Sequence, residues 1–213
     1  MRSVATGDQP LEIFADQICH NGWCIKLDDI ISVQLISKDL YFKRLIWWHS
    51  DRIIKIGTRF SLMNVVCSLS FENRLALEHT FSEVLSAIEE TIGSRLVSQM
   101  WSRLSNGEAV SLGGVDVTEK GVWVAGTWSF LCLKAQKRFV RWADVRTWRD
   151  LNVLHVVSFK DTRFRSQIDM NTTDNAIVLY WLNKHITEEI PKEEFKRVSI
   201  GATFGPDKNS LHE

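Results

Sequence analysis

The sequence predicts an α+β fold built mostly from antiparallel strands. Short runs of β-branched and aromatic residues recur between turn residues along most of the chain, which is typical of antiparallel sheets. Two segments, 77–92 and 171–186, instead carry apolar residues at helical spacing. Each helical segment follows a set of predicted strands, so the order strands, hairpin, helix occurs twice. This order indicates an internal repeat, although identity between the copies is low and a chance match of two α+β segments is the alternative.

Strands are predicted in the first half at 11–14, 17–19, 23–27, 30–36 and 45–48. His20-Asn21-Gly22 is typical of a tight turn, because Asn and Gly tolerate positive φ. The charged stretch 37–44 is predicted to be a loop. A helix is predicted to begin near Ser70, a good capping residue, and to end at Gly93. Apolar residues within 96–104 indicate a second helix or a continuation of the first.

Strands are predicted in the second half at 109–112, 115–118, 122–125, 129–133, 145–150, 153–159 and 163–169. Leu151-Asn152 separates two of them as a turn. Asn171, Thr172 and Thr173 are good N-cap residues for the closing helix, whose apolar stripe runs through Tyr180 and neighbouring positions.

The break at Ser105-Asn106-Gly107 is the predicted domain boundary. It gives a flexible tail at 1–10, a first domain with a connector helix at 11–104, a second domain at 107–190 and a C-terminal tail at 191–213.

Charge and cysteine content narrow the functional classes. Lys+Arg and Asp+Glu both number 26, and this balance argues against a nucleic-acid binder. The four cysteines form no CxxC pair and are expected to be reduced and buried; Cys19 and Cys24 could flank a zinc ion only if distant histidines joined them. No signal peptide or apolar run of about 20 residues is visible, so we expect a soluble cytoplasmic protein.

Motifs for catalysis are missing from the sequence. The six histidines show neither HxxxH nor HExxH spacing, and there is no GxSxG elbow or phosphate-binding glycine loop. We therefore expect a non-enzymatic protein without a cofactor or a metal, with an enzyme of unrecognised type as the least favoured hypothesis.

The order of elements resembles the pleckstrin-homology-like (PH-like) superfold, as in bacterial PH-like and GRAM-type domains. The resemblance is carried by 121–124, 140–145, 154–159 and 171–182, covering most of 107–186 and, more loosely, 11–92. It implies two bent sheets or partial barrels, each closed by a C-terminal helix. It also implies binding rather than catalysis, with phosphoinositides, other lipid headgroups, peptides or proteins as ligands.

A basic cluster is the candidate ligand site. Its predicted members are Lys134, Lys137, Arg138, Arg141, Arg146, Arg163 and Arg165. Guanidinium groups bind phosphate bidentately, and Arg163 and Arg165 share a face if both lie in a strand. The alternative is a solvated surface with mixed ion pairs, because aspartates interleave with the cluster.

Trp47 and Trp48 are the candidate protein-interaction residues. Adjacent strand residues point to opposite faces, so one of these two side chains is either exposed or covered by another element. We therefore expect a module that binds a protein partner or itself, as a homo-oligomer. The alternative is peripheral attachment to an anionic membrane through the basic cluster.

Overall fold

A computed structural model describes residues 1–4, 6, 10–42, 46–70, 74–126 and 137–189; at 40–42, 46–49, 67–70, 74 and 188–189 it describes the backbone alone. The described chain is an α+β fold with mostly antiparallel sheets, as the sequence predicts. Within these ranges no helix is both long and apolar enough to cross a membrane. The predicted C-terminal tail at 191–213 lies outside the described residues.

The first half contains two antiparallel sheets followed by helices. Strands β1 (Arg2–Val4), β2 (Leu11–Ile13), β3 (Gln17–His20) and β4 (Trp23–Lys26) form one sheet in that order. After a 3₁₀ turn at Leu27–Asp29, β5 (Ile30–Phe42), β6 (Ile46–Thr58) and β7 (Leu62–Ser70) form the other. Helix α1 (Arg74–Ile88) continues through a π turn (Glu89–Gly93) into α2 (Ser94–Ser105).

The second half repeats this order of elements. Strands β8 (Val110–Leu112), β9 (Val115–Thr118), β10 (Gly121–Ala125) and β11 (Lys137–Arg141) form a four-stranded sheet. A 3₁₀ turn at Trp142–Asp144 leads to the three-stranded sheet β12 (Val145–Asp150), β13 (Val153–Ser158) and β14 (Arg165–Asp169), which is followed by α3 (Ala176–Glu189). The first 3₁₀ turn lies largely between the strands predicted at 23–27 and 30–36, and the second directly precedes the strand predicted at 145–150.

One hydrophobic core runs through both halves. Strand residues alternate between this core and the surface, while α1 contributes the apolar stripe predicted for it. Trp181 of α3 is 1% exposed and lies against Gly93, where an added Cβ would come within 3.6 Å of the indole. Gly93 has right-handed helical backbone angles, so it permits close helix packing and does not end the helix as predicted.

Parts of two predicted irregular segments form strands instead. The predicted flexible tail at 1–10 contains β1, whose Val4 is 8% exposed and paired with Leu11. The predicted loop at 37–44 belongs largely to β5. Its charged residue Asp39 is accommodated because its carboxylate accepts a hydrogen bond from the guanidinium of Arg52 at 2.9 Å.

The predicted reduced state of the cysteines is wrong for one pair. Cys19 and Cys24 are opposite each other in the β3–β4 hairpin and form a disulfide. Their Cα atoms are 4.1 Å apart, the close spacing of a non-hydrogen-bonded cross-strand pair. Disulfides are typical of oxidising compartments, so this bond does not fit the reduced cytoplasmic protein expected from the sequence.

The turn at 170–175 joins the two halves. Asn171 does not begin a helix, because α3 starts at Ala176. Ser70 is the last residue of β7, and 71–73, where the helix predicted near Ser70 would start, lie outside the described residues. The Asn171 side chain instead accepts the N–H of Ser37 at 2.8 Å. Asn175 makes two bonds with Val33, donating its N–H to the carbonyl at 2.9 Å and accepting the Val33 N–H on its side chain at 3.0 Å.

Asn175 combines these bonds with a left-handed backbone, φ 60°. We predict that Asn175→Gly lowers the free energy of unfolding by about 1–2 kcal/mol, because the Val33 N–H loses its partner. Asn175→Ala adds strain at positive φ and should cost about 1 kcal/mol more. Urea denaturation of both variants measures the difference. Equal stability of wild type and the glycine variant would contradict this account of the junction.

A buried arginine, Arg52, and a partly buried one, Arg149, lie near α1 in different electrostatic settings. Arg52 is 2% exposed. Its guanidinium donates a hydrogen bond to Asp39 at 2.9 Å and two hydrogen bonds to Glu78, at 2.7 and 3.0 Å. Burial alone would lower the pKa of Arg52, but the bonds to Asp39 and Glu78 outweigh it and the pKa is raised. Arg149 of β12 lies over the ring of Phe81 at 5.3 Å, and its buried Nη1 has no hydrogen-bond partner. Its pKa is lowered by burial, which the charge of Glu78 only partly opposes.

We predict opposite effects for the same substitution at these two sites. Arg149→Met should leave the free energy of unfolding unchanged or raise it, because a partly buried cation with an unpaired Nη1 is replaced by an apolar chain of similar length. Arg52→Met should lower it by about 2–4 kcal/mol, because two carboxylates lose their counter-ion. Urea denaturation measures both. A large loss of stability in Arg149→Met would show that Arg149 is a necessary contact between the halves.

Candidate functional site

The predicted basic cluster is divided among several places in the second half. Arg138 of β11 and Arg163 both bind Asp161, with N–O distances of 3.3 and 2.8 Å. Lys137 pairs with Asp116 at 2.5 Å. These contacts pair basic side chains with carboxylates of the same molecule, and so remove much of the positive charge that an anionic headgroup would need.

The remaining predicted members are spread over the sheets. Arg146 and Arg165 flank Val157 on one face of the β12–β14 sheet, and Arg146 lies over the ring of Phe159 at 5.0 Å. Arg141 is exposed at the end of β11. Arg163 does not share a strand face with Arg165, because it lies in the turn before β14. Lys134 lies outside the described residues.

Asp161 is the centre of the ion pairs in the β13–β14 turn. Its two oxygens accept hydrogen bonds from Nε and Nη2 of Arg163 at 2.9 and 2.8 Å. This bidentate pairing lowers the pKa of Asp161 from 3.8 to about 2, with a smaller contribution from the charge of Arg138. Arg138 also lies over the ring of Phe164 at 5.0 Å. The negative charge of this turn is therefore already paired with two arginines of the same molecule.

The predicted protein-interaction residues Trp47 and Trp48 lie in β6. Trp47 pairs with Tyr41 of β5, and the register shifts between Leu40 and Tyr41. The side chains of both tryptophans lie outside the described part of the structure, so their role stays a prediction.

A groove of about 370 Å³ lies between the end of α2 and the outer face of the β8–β11 sheet. Trp123 and Phe139 form one wall; they are directly opposite each other in β10 and β11, with ring centroids 5.5 Å apart. Trp123 is 41% exposed. The other lining residues are Leu104, Gly107, Glu108, Ala109, Thr118, Glu119 and Lys120. A mainly apolar wall with a few polar groups at the rim is typical of ligand sites.

Strand alternation places Trp123 in this groove. Val122 and Val124 are fully buried, so the residue between them points outward. The β9–β10 turn is fixed below the groove because the indole N–H of Trp142 donates to the Glu119 carbonyl at 2.9 Å. Gly121 allows this packing: a Cβ there would lie 2.1 Å from the Val140 carbonyl oxygen.

Charges around the groove are sparse and partly paired. Glu108 accepts a hydrogen bond from Arg103 at 2.7 Å. Asp116 is next to Trp123 in the sheet, and the pKa of Asp116 is lowered mainly by its bond to Lys137 and secondarily by Ser111. The arrangement favours an apolar or aromatic ligand group, with few charged contacts at the edge.

A second exposed aromatic pair lies on the β12–β14 sheet. Trp148, 47% exposed, stacks on His155 with ring centroids 4.8 Å apart and planes inclined by 6°. This pair lies on a sheet face and is not part of the groove lining. Because Trp148 is similarly exposed but lies outside the groove, its substitution is a matched control for the substitution of Trp123.

The sequence alone did not single out the groove. It predicts that most tryptophans are buried, yet Trp23, Trp101, Trp123 and Trp148 are each exposed by more than a third. For Trp123, the signal was available in the Val-Trp-Val alternation. Among the described residues, no three His, Cys, Asp or Glu side chains form a group that could hold a metal ion.

Comparisons of the chain with protein-family models, with curated proteins and with solved structures find no match.

The ion pair at Asp161 predicts a specific titration. Because the folded pKa is depressed, its contribution to stability is present above the unfolded pKa of 3.8 and is lost as pH falls through about 2. Carboxyl-carbon NMR should show a midpoint near 2 in the wild type and a higher midpoint in Arg163→Gln, with Arg138 retaining part of the shift. A wild-type midpoint at the ordinary value would show that the pair does not persist in solution.

Proposed function

We propose that this chain is a tandem PH-like binding module without enzymatic activity, and that it binds a polypeptide partner in the groove formed by Trp123 and Phe139. The observation that carries the proposal is the pair of the exposed Trp123 and the partly buried Phe139 beside a cavity of about 370 Å³. Exposed tryptophan in a shaped apolar site is typical of the anchor positions of protein interfaces.

The PH-like part of the proposal is supported by the order of elements. Each half has a four-stranded meander, a short 3₁₀ turn, a three-stranded meander and then a helix. In the second half, Gly126 bridges to Phe164 and so links the two sheets at one corner. Helix α3 buries Trp181 completely and Tyr180 partly. This arrangement suits a bent pair of sheets covered by a helix.

Binding to an anionic membrane through the basic cluster is the less favoured function. Asp116 and Asp161 already bind three of its basic side chains. The formal net charge of the whole chain is zero, so long-range attraction to an anionic surface is weak. Salt-sensitive co-sedimentation with anionic liposomes, abolished by Arg141→Glu with Arg163→Glu, would favour the membrane instead.

Panning of a displayed peptide library on the purified protein tests the proposed function. We expect selected peptides to carry an aromatic or long aliphatic anchor. Trp123→Ser should weaken their binding by about tenfold or more, because an apolar wall of the groove is lost. Trp148→Ser removes a similarly exposed indole from the other sheet and is the matched control. Equal binding to both variants, or no selected peptide at all, would contradict the proposal.

A further inference from the structure

The turn between β6 and β7 presents an apolar side chain to solvent. Phe60 is 97% exposed and Leu62, at the start of β7, is 58% exposed. Arg59 beside them is also exposed. An isolated exposed apolar residue is ordinary, but here two large apolar side chains are exposed together at one tight turn.

This turn is held by hydrogen bonds centred on Thr58. The Thr58 hydroxyl oxygen accepts the N–H of Phe60 at 3.1 Å and that of Ser61 at 2.9 Å. The backbone N–H of Thr58 donates to the Ser61 carbonyl at 2.9 Å. Phe60 is therefore presented by an ordered turn, and little conformational entropy is lost when it enters a binding site.

The groove in the second half complements this turn in size, apolarity and charge. A cavity of about 370 Å³ is large enough for one phenylalanine side chain with part of its turn. Trp123 and Phe139 offer tilted aromatic surfaces, which suit edge-to-face contact with a third ring. The groove lining carries two acidic side chains, Glu108 and Glu119, and one basic side chain, Lys120, so it is net negative. Arg59 carries the opposite charge, and Glu119 has no ion-pair partner in the described part of the chain.

We propose that the chain associates with itself head to tail, with the Phe60 turn of one copy in the Trp123–Phe139 groove of the next. The inference rests on the proposed function and names its partner as a second copy. Because the two surfaces differ, the contact is heterologous, and it forms rings or open chains instead of a two-fold dimer. One turn in one groove makes a small interface, so dissociation constants on the order of 0.1 mM are expected.

Sedimentation velocity over a concentration series tests the inference. Wild type should show concentration-dependent species beyond the dimer, whereas Phe60→Ser and Trp123→Ser should each remain monomeric. Mixing the two variants is decisive: the Phe60→Ser protein retains its groove and the Trp123→Ser protein retains its turn. The mixture should therefore form a 1:1 heterodimer that does not grow. Leu75→Ser removes a side chain that is 84% exposed on α1 and should associate like wild type.

A charge exchange gives a second readout that leaves the aromatic residues in place. Arg59→Glu and Glu119→Lys should each weaken association several-fold, and the double variant that carries both changes in one chain should recover it through the reversed pair. These charge variants still test the inference if circular dichroism shows that Trp123→Ser is unfolded.

The inference is overturned if wild type remains monomeric to about 1 mM, the weak limit of measurable contacts, or if its association survives both serine variants. Selection of peptides that require Trp123, together with a monomeric wild type, would leave the proposed function standing and remove only the second copy as partner. If no selected peptide requires Trp123 and wild type also remains monomeric, both the proposed function and the self-association are overturned.

Discussion

The hydrogen bonds between Asn175 and Val33 are the contact on which the arrangement of the two halves depends. β5 is an edge strand of its sheet, and an edge strand leaves backbone groups without partners. The 170–175 turn of the second half satisfies two of them through Asn175 and a third through Asn171 at Ser37. The edge is thereby covered by the same molecule, and the second half is placed in a fixed register on the first.

This register explains why α3, a helix of the second half, also packs against the first half. Once Asn175 is fixed on β5, the helix that follows begins between the two sheets. Trp181 then reaches Gly93 in the π turn, and Lys184 reaches Glu89 at 3.0 Å. Arg149 of β12 reaches Phe81 of α1 in the same region. The contact of Trp181 with Gly93 and the left-handed backbone at Asn175 are therefore two features of one packed junction.

Local patterns in the sequence predict the elements of this fold well, because alternation and helical spacing are set by nearest neighbours. The strands β12 and β13, their turn at Leu151 and the buried stripe of α1 all follow from such patterns. The residue type of Asn171 predicts a helix N-cap, whereas Asn171 and Asn175 bond Ser37 and Val33, which are more than 130 positions away in the chain. Local sequence patterns do not reveal contacts between residues that are so far apart in the chain.

The candidate site was partly predictable for the same reason. Asp161 is two positions from Arg163, so their pairing could have been expected from the sequence, and the alternation around Trp123 indicates its exposure. The groove could not be predicted, because Leu104 is brought beside Trp123 only by the path of the chain from α2 into β8. A cavity is a property of elements that meet in space, and residue types reveal it only after the topology is known.

The ion pairs of the second half bear on the kind of partner that the molecule can recognise. Arg138 and Arg163 form ion pairs with Asp161, and Lys137 forms one with Asp116. These three basic side chains near the end of β10 and β11 are therefore already paired within the molecule. Exposed ion pairs contribute little to stability, but they occupy donors that an anionic ligand would otherwise bind. The groove itself offers mainly apolar surface, with Glu119, Lys120 and the paired Glu108 at its rim. On the proposed function, such a surface would select a partner by the size and rigidity of the side chain it receives, which is the property that an ordered turn with an exposed phenylalanine would provide.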